Sequence, residues 1–190
     1  MPAQSEVTIC NLAMTMLSTS RFLSLTNPED ENAKKCNAVY SYLRDDMLVS
    51  YNWGFATAEV ELAEITEESP VLANWSKVYQ IPTDCLRIIE QDGQYDYKRH
   101  EDKIYSNEST CKISYIKRIT DPLKFPAYFA KALSADIAAT LAYGITQNAT
   151  QAEIMSKRAI LALKNAVWSE AQEGIGTKPI RGSFITARQT

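Results

Sequence analysis

Apolar residues near the start of the chain recur at helical spacing. Ile9, Ala13, Met16 and Leu17 form one stripe, widened by Cys10 and Met14. With Ser5 as N-cap and Glu6 in the first turn, the pattern predicts a helix from Ser5 to Leu17. Residues 18–26 show no such period and read as a loop. A second helix is marked by Asn27 as cap, Pro28 at the first helical position, and Glu29, Asp30 and Glu31 at the positive end of the dipole. Its buried face is Ala33, Cys36, Tyr40, Leu43, Met47 and Tyr51, and Gly54 is the expected stop. Trp53, at this junction, reads as a core anchor rather than a ligand platform.

The period then drops to two. Ala58, Val60 and Leu62 alternate with Thr57, Glu59 and Glu61, as in a half-buried strand. After an acidic loop over 64–74, Trp75 to Ile81 reads as a returning strand closed by Pro82 and extended by Leu86, Ile88 and Ile89. Gln91-Asp92-Gly93-Gln94 is a hairpin signal. Tyr95, Tyr97 and Arg99, then Lys103-Ile104-Tyr105, then Cys111, Ile113 and Tyr115 continue the alternation.

Helical spacing returns at Asp121-Pro122, with a restart at Pro126. Phe129, Leu133, Ile137, Leu141 and Ile145 mark a buried stripe, and six alanines between Ala127 and Ala139 allow a neighbouring helix to approach closely. Asn148, with Gln151 three residues on, forms a capping box for the last helix. Along it, Ile154, Arg158, Leu161, Asn165 and Trp168 share one side, widened by Leu163, Ala166 and Val167. Each of these two helices spans ~30 Å, and their short connection predicts antiparallel packing.

The expected fold is therefore α+β, mainly α: an antiparallel bundle of about four long helices, a small antiparallel β-meander inserted between the helix pairs, and an extended C-terminal tail. The boundaries are 1–54 and 121–173 for the helix pairs, 55–120 for the meander and 174–190 for the tail.

Charge adds a segregation that the hydrophobic pattern does not show. The 190 residues carry a formal charge of −3, too acidic for a dedicated nucleic-acid binder. Residues 1–54 carry −2, 55–120 carry −4, 121–173 are neutral, and 174–190 carry +3 with no acidic residue. The tail holds three glycines and one proline among its seventeen residues. Ile175, Ile180, Phe184 and Ile185 are spaced for docking, with Lys178, Arg181 and Arg188 between them. Either it frays, or it orders against an acidic, grooved partner surface.

Candidate chemistry is sparse. The cysteines Cys10, Cys36, Cys85 and Cys111 form no C-x-x-C pair, so a zinc site is not expected, and buried reduced thiols are. The one histidine, His100, sits in a charged turn, where a solvated role outweighs that of a catalytic base. No glycine-rich phosphate cradle precedes a helix. Glu59, Glu61, Glu64, Glu67 and Glu68 could hold a carboxylate pair for glycoside hydrolysis, but solvated acidic surface is the better reading. No cofactor is expected. Neither an export signal nor a membrane-length apolar run is visible, so the expectation is synthesis in a cytoplasm.

Several motifs in order carry a resemblance: Asn11-Leu12-Ala13-Met14-x-x-Leu17, Ala33-x-x-Cys36, Tyr40-x-x-x-Arg44-Asp45, Trp53-x-Phe55-Ala56, and above all Tyr79-Gln80-Ile81-Pro82-Thr83-Asp84-Cys85-Leu86-Arg87. Tyr115, Asp121, Phe125, Phe129-Ala130-x-Ala132-Leu133, Ala138-Ala139-x-Leu141-Ala142 and Ile145-Thr146 follow at similar distances. In these, over nearly its whole length, the chain resembles the tail tubular protein A family, the head-to-tail adaptors of short-tailed phages. The resemblance implies a non-enzymatic virion protein of the tail or neck. It would form a twelve-subunit ring under the portal protein, attach the tail nozzle or tube, and let double-stranded DNA pass without specific binding. It would also give the tail, through Ile175, Lys178, Ile180, Arg181, Phe184, Ile185 and Arg188, the portal as partner. Glu59, Glu61, Glu64, Glu67 and Glu68 become candidates for the channel wall or a tail contact, since acidic groups repel the DNA backbone. A related adaptor group points to an alternative, an accessory protein with peptidoglycan hydrolase activity, although no residues here match such an active site.

Overall fold

The structure, a computed structural model, describes residues 4–66, 74–91 and 96–174. Helix α1, Glu6–Met16, starts where Ser5 Oγ accepts the Thr8 amide at 3.1 Å. Helix α2, Glu31–Ser50, is capped by Asp30, whose carboxylate accepts the Asn32 and Ala33 amides. Asn27, the expected cap, instead folds a turn ahead of the helix, its Oδ1 accepting the Glu29 amide at 3.1 Å. Asp30 wins because it stands three residues before Ala33, where its carboxylate reaches two open amides at once.

Gly54 does not stop α2. The helix ends at Tyr51 in extended backbone. Two donors meet the Met47 carbonyl, Ser50 Oγ at 2.7 Å and the Trp53 indole Nε1 at 2.9 Å. Side chains thus satisfy an open carbonyl that a glycine cap would otherwise serve. Trp53 is wholly buried and lies edge-on to Phe129, centroids 5.3 Å apart. Gly54–Ala56 forms a short 3₁₀ turn that leads into the strands.

The strands are β1 Thr57–Glu61, β2 Lys77–Gln80, β3 Cys85–Gln91, β4 Tyr97–His100, β5 Lys103–Ser106 and β6 Lys112–Lys117. They form two antiparallel sheets, ordered β1-β6-β3 and β2-β5-β4. Here the expectation of a four-helix bundle with a small inserted meander is overturned. A meander pairs each strand with the next, whereas only β4 and β5 do so here. β3 does not extend β2 but crosses to the other sheet. The 91–94 hairpin signal separates β3 from β4, which lie in different sheets; its turn is outside the described residues. The physical reason is that both sheets have an apolar face to cover. Leu62, Tyr79, Ile81, Ile104, Cys111, Ile113 and Tyr115 pack together between them, with Ala58, Val60, Cys85 and Ile88 against the cluster. One meandering sheet of six strands would leave that face open to water.

After a 3₁₀ turn at Pro122–Lys124, where Asp121 Oδ1 accepts the Leu123 amide at 3.0 Å, come α3, Ala127–Thr146, and α4, Ala149–Gly174. Asn148 Oδ1 accepts the Gln151 amide at 3.1 Å at the start of α4. The helices do not form a regular bundle. α3 is the hub and packs against α1, α2 and α4, while α1 meets α2 more narrowly, around Cys10 and Cys36. Hence α3 is buried on most of its circumference, from Phe129 through Ala132, Leu133, Ser134, Ile137 and Ala138 to Ala142. Its small residues let three partners approach. A second core fills this helical layer, and it takes in Ile116, Leu86 and Ile89 from one end of the β1-β6-β3 sheet.

The α4 stripe is also corrected. The helix buries Met155 and Ala166, with Ala162, Leu163 and Val167 packed beside them. Ile154, Leu161 and Trp168 face outward, 42%, 58% and 66% exposed. Both faces of α4 are apolar at helical spacing, so periodicity alone does not choose between them.

Candidate functional site

The residues that carry the resemblance turn out to be scaffold. Asn11 Nδ2 donates to the Phe22 carbonyl at 2.7 Å and its Oδ1 accepts the Phe22 amide at 3.0 Å, which pins the 18–26 loop to α1. Arg44, almost wholly buried, pairs with Asp45 at 2.8 Å, and the other Asp45 oxygen takes Arg118 Nε at 2.9 Å. That chain ties α2 to the end of β6. The run Tyr79–Arg87 carries the crossing between sheets. Tyr79 OH donates to the Glu108 carbonyl at 2.6 Å, Cys85 N donates to the Pro82 carbonyl at 2.9 Å, and Arg118 N donates to the Asp84 carbonyl at 2.7 Å. Asp84 also meets Lys117 at 3.3 Å and accepts from Tyr115 OH at 3.3 Å. At its far end Arg87 donates to Asn52 Oδ1.

His100 is exposed on β4 and stands edge-on to Tyr105, with no acid or nucleophile bonded to it among the described residues. Among the described residues no group of three His, Cys, Asp or Glu side chains is placed to hold a metal ion, and no described helix is long and apolar enough to cross a membrane. Cys10 and Cys36 are neighbours across α1 and α2, both fully buried.

The five glutamates named from the sequence separate. Glu59 and Glu61 point outward from β1, on the face turned away from the second sheet, since Ala58 and Val60 between them point into the inter-sheet core. Glu64 leaves this face: it bridges to Tyr79 and its carboxylate holds Lys77 at 2.7 Å. That contact raises the Lys77 ammonium above its ordinary pKa. Glu67 and Glu68 lie outside the described residues, as do Ile175, Lys178, Ile180, Arg181, Phe184, Ile185 and Arg188 of the tail.

A residue that alternation does not find completes the acidic face. Glu59 and Glu90 both pair with Ser114, one from each side, so the two carboxylates flank a small residue in one cross-strand row. The next row holds Glu61 and Lys112, whose charged atoms are 3.6 Å apart. Strict period two would put Glu90 on the face of Ile88. A bulge between Ile88 and Glu90 shifts the parity, and only the pairing of β3 with β6 reveals it. Glu59, Glu61, Glu90, Lys112 and Ser114 line a shallow cleft of about 360 Å³.

The second surface is the outward side of α4. Ile154, Leu161 and Trp168 are seven residues apart, and Lys157, Arg158 and Lys164 lie between them on the same side, all exposed. Isolated exposed apolar side chains are ordinary; these three stand in one row on one helix. Chemically, both surfaces can bind a complementary surface; neither contains a nucleophile with its base. No protein-family model matches the chain, and no curated protein matches it either.

Proposed function

We propose that this chain is a structural head-to-tail adaptor of a short-tailed phage virion and not an enzyme. In this reading copies form a ring, of twelve subunits in the family it resembles. The ring attaches to the portal protein on one side and the tail nozzle or tube on the other, and passes double-stranded DNA without reading its sequence. Its place is the neck or tail of the virion, after synthesis in the host cytoplasm. What supports the reading is the family-like run Tyr79–Arg87, which here joins the two sheets. The aligned apolar residues of α4 fit the need of a ring for heterologous contacts. In such a ring an acidic surface has two places: the channel wall, where it repels DNA phosphates, or the boundary between copies.

The test is native mass spectrometry of the full chain with the portal protein of its virion. A closed ring on the portal is expected. Deleting residues 174–190 should leave the thermal unfolding of the body unchanged and abolish capture by the portal; unimpaired capture would overturn the role of the tail. Turnover of purified peptidoglycan that disappears on a single Glu→Gln change would overturn the adaptor reading itself.

A further inference from the structure

We infer that the outward side of α4 in one copy docks on the acidic outer face of the β1-β6-β3 sheet in the next copy, making a heterologous subunit contact. This deepens the ring reading and rests on it. Three observations carry it.

The first is the α4 side itself. Ile154, Leu161 and Trp168 place three large apolar groups in a row over two helical heptads, with only Glu153 as a nearby acid among Lys157, Arg158 and Lys164. Glu153 pairs with Lys157 at 2.6 Å, which leaves Arg158 and Lys164 as the exposed cations beside Leu161. Tryptophan and arginine are the residue types enriched where interfaces hold most of their binding energy, and Trp168 and Arg158 supply both here.

The second is charge, which decides how two copies can meet. If α4 paired with α4 of another copy antiparallel about Leu161, Arg158 would face Lys164. In a parallel pairing Arg158 would face Arg158. Both arrangements set cation against cation, so self-pairing of this helix is disfavoured. The contact must be heterologous, with an acidic surface opposite.

The third is the only described surface where carboxylates form an ordered row on a sheet. Glu59 and Glu90 flank Ser114, and the small serine leaves a trough between their stems into which a helix ridge can settle. The sheet face that carries these carboxylates meets the helical core at Ile116, but α4 makes no substantial contact with β1, β3 or β6, so the two surfaces do not meet within one chain. Two surfaces that complement each other but do not meet within the chain propagate from copy to copy.

The experiment is reciprocal charge reversal in the full chain, read by sedimentation velocity and native mass spectrometry, alone and with the portal. R158E/K164E makes α4 and the sheet face both acidic. E59K/E90K makes both basic. Each variant by itself is expected to lose association by about tenfold or more. Their mixture is expected to regain it as alternating assemblies with the two variants in equal number, because both contacts in the mixture are complementary. W168A should weaken the wild-type contact and the mixed contact alike. Recovery on mixing also shows that both variants are folded. Assemblies indifferent to all four charge reversals would overturn this contact and leave the ring standing. No association of any variant or of the wild type, alone or on the portal, would overturn the contact and the ring together.

Discussion

The Glu170 carboxylate accepts the Gly54 amide at 2.6 Å, joining residues 116 positions apart. Its other oxygen accepts Tyr128 OH at 2.6 Å, and Glu173 takes the same hydroxyl at 3.1 Å. The end of α4 is thereby tied to the start of α3 and to the junction between α2 and β1. Burial first, and then the two carboxylates, raise the Tyr128 phenol above its ordinary pKa, so it remains a donor throughout the neutral range. Glu170→Ala is expected to cost about 2 kcal/mol, a fall of about 4–8 °C in Tm. A Cβ at Gly54 would stand 2.9 Å from Glu170 Oε1, so Gly54→Ala should push that carboxylate aside. The two changes should be strongly non-additive in a double-mutant cycle of thermal unfolding, since both break one contact.

Tyr40 points to a different kind of change. It is 3% exposed, and its hydroxyl has no hydrogen-bond partner among the described residues. Burial raises its pKa well above the ordinary phenol value. Tyr40→Phe removes a polar group that burial penalises and keeps the ring, so urea unfolding should show a gain of about 1 kcal/mol. A loss of that size would mean that the hydroxyl is bonded in solution.

Asp136 lines a cleft of about 340 Å³ between α3 and α4 with Met47 of α2, and burial followed by the charge of Asp46 raises its pKa. An acid whose folded pKa lies above its unfolded one holds more protons folded than unfolded between the two values. Stability therefore falls as pH rises through that window, and the full penalty is present above the folded pKa. Asp136→Asn should raise Tm at neutral pH, and the gain should vanish once pH drops below the ordinary aspartate value of 3.8. A gain that persists unchanged in acid would reject this origin.

The thiols should report the packing directly. Cys10, Cys36 and Cys111 are completely buried, and Cys85, on β3, is half-buried with its pKa raised mainly by burial. A thiol reagent added to the native protein at pH 8 should modify Cys85 first and slowly, and the other three only at the rate of unfolding. Cys85→Ser should abolish the early phase. Fast labelling of Cys10 or Cys36 would contradict the contact between α1 and α2.

Local pattern by itself determined much of the secondary structure. The start of α1 at Ser5, the restart at Pro126, the Asn148 cap and the alternation through β1 and β6 depend on residues within one or two turns of each other, so the chain declares them. Four decisions went beyond the pattern, the first two settled by competition between nearby side chains and the last two by distant packing. The helix cap went to Asp30 because two amides converge on it, and α2 ended without Gly54 because the Trp53 indole reached back to the Met47 carbonyl. The strands divided into two sheets because each needed its apolar face covered, a condition that pairs β6 with residues as far back as Thr57, the partner of Ile116. α4 turned Met155 and Ala166 inward because α3, with its row of small residues, admits close approach on that side. This left Ile154, Leu161 and Trp168 outside. The candidate surfaces follow the same division. Glu59 and Glu61 could be read from alternation, whereas Glu90 joined them only through a bulge that shifts its parity. Periodicity states that a segment has an apolar face; which face is covered, and which charges end up side by side, is settled by what packs against it.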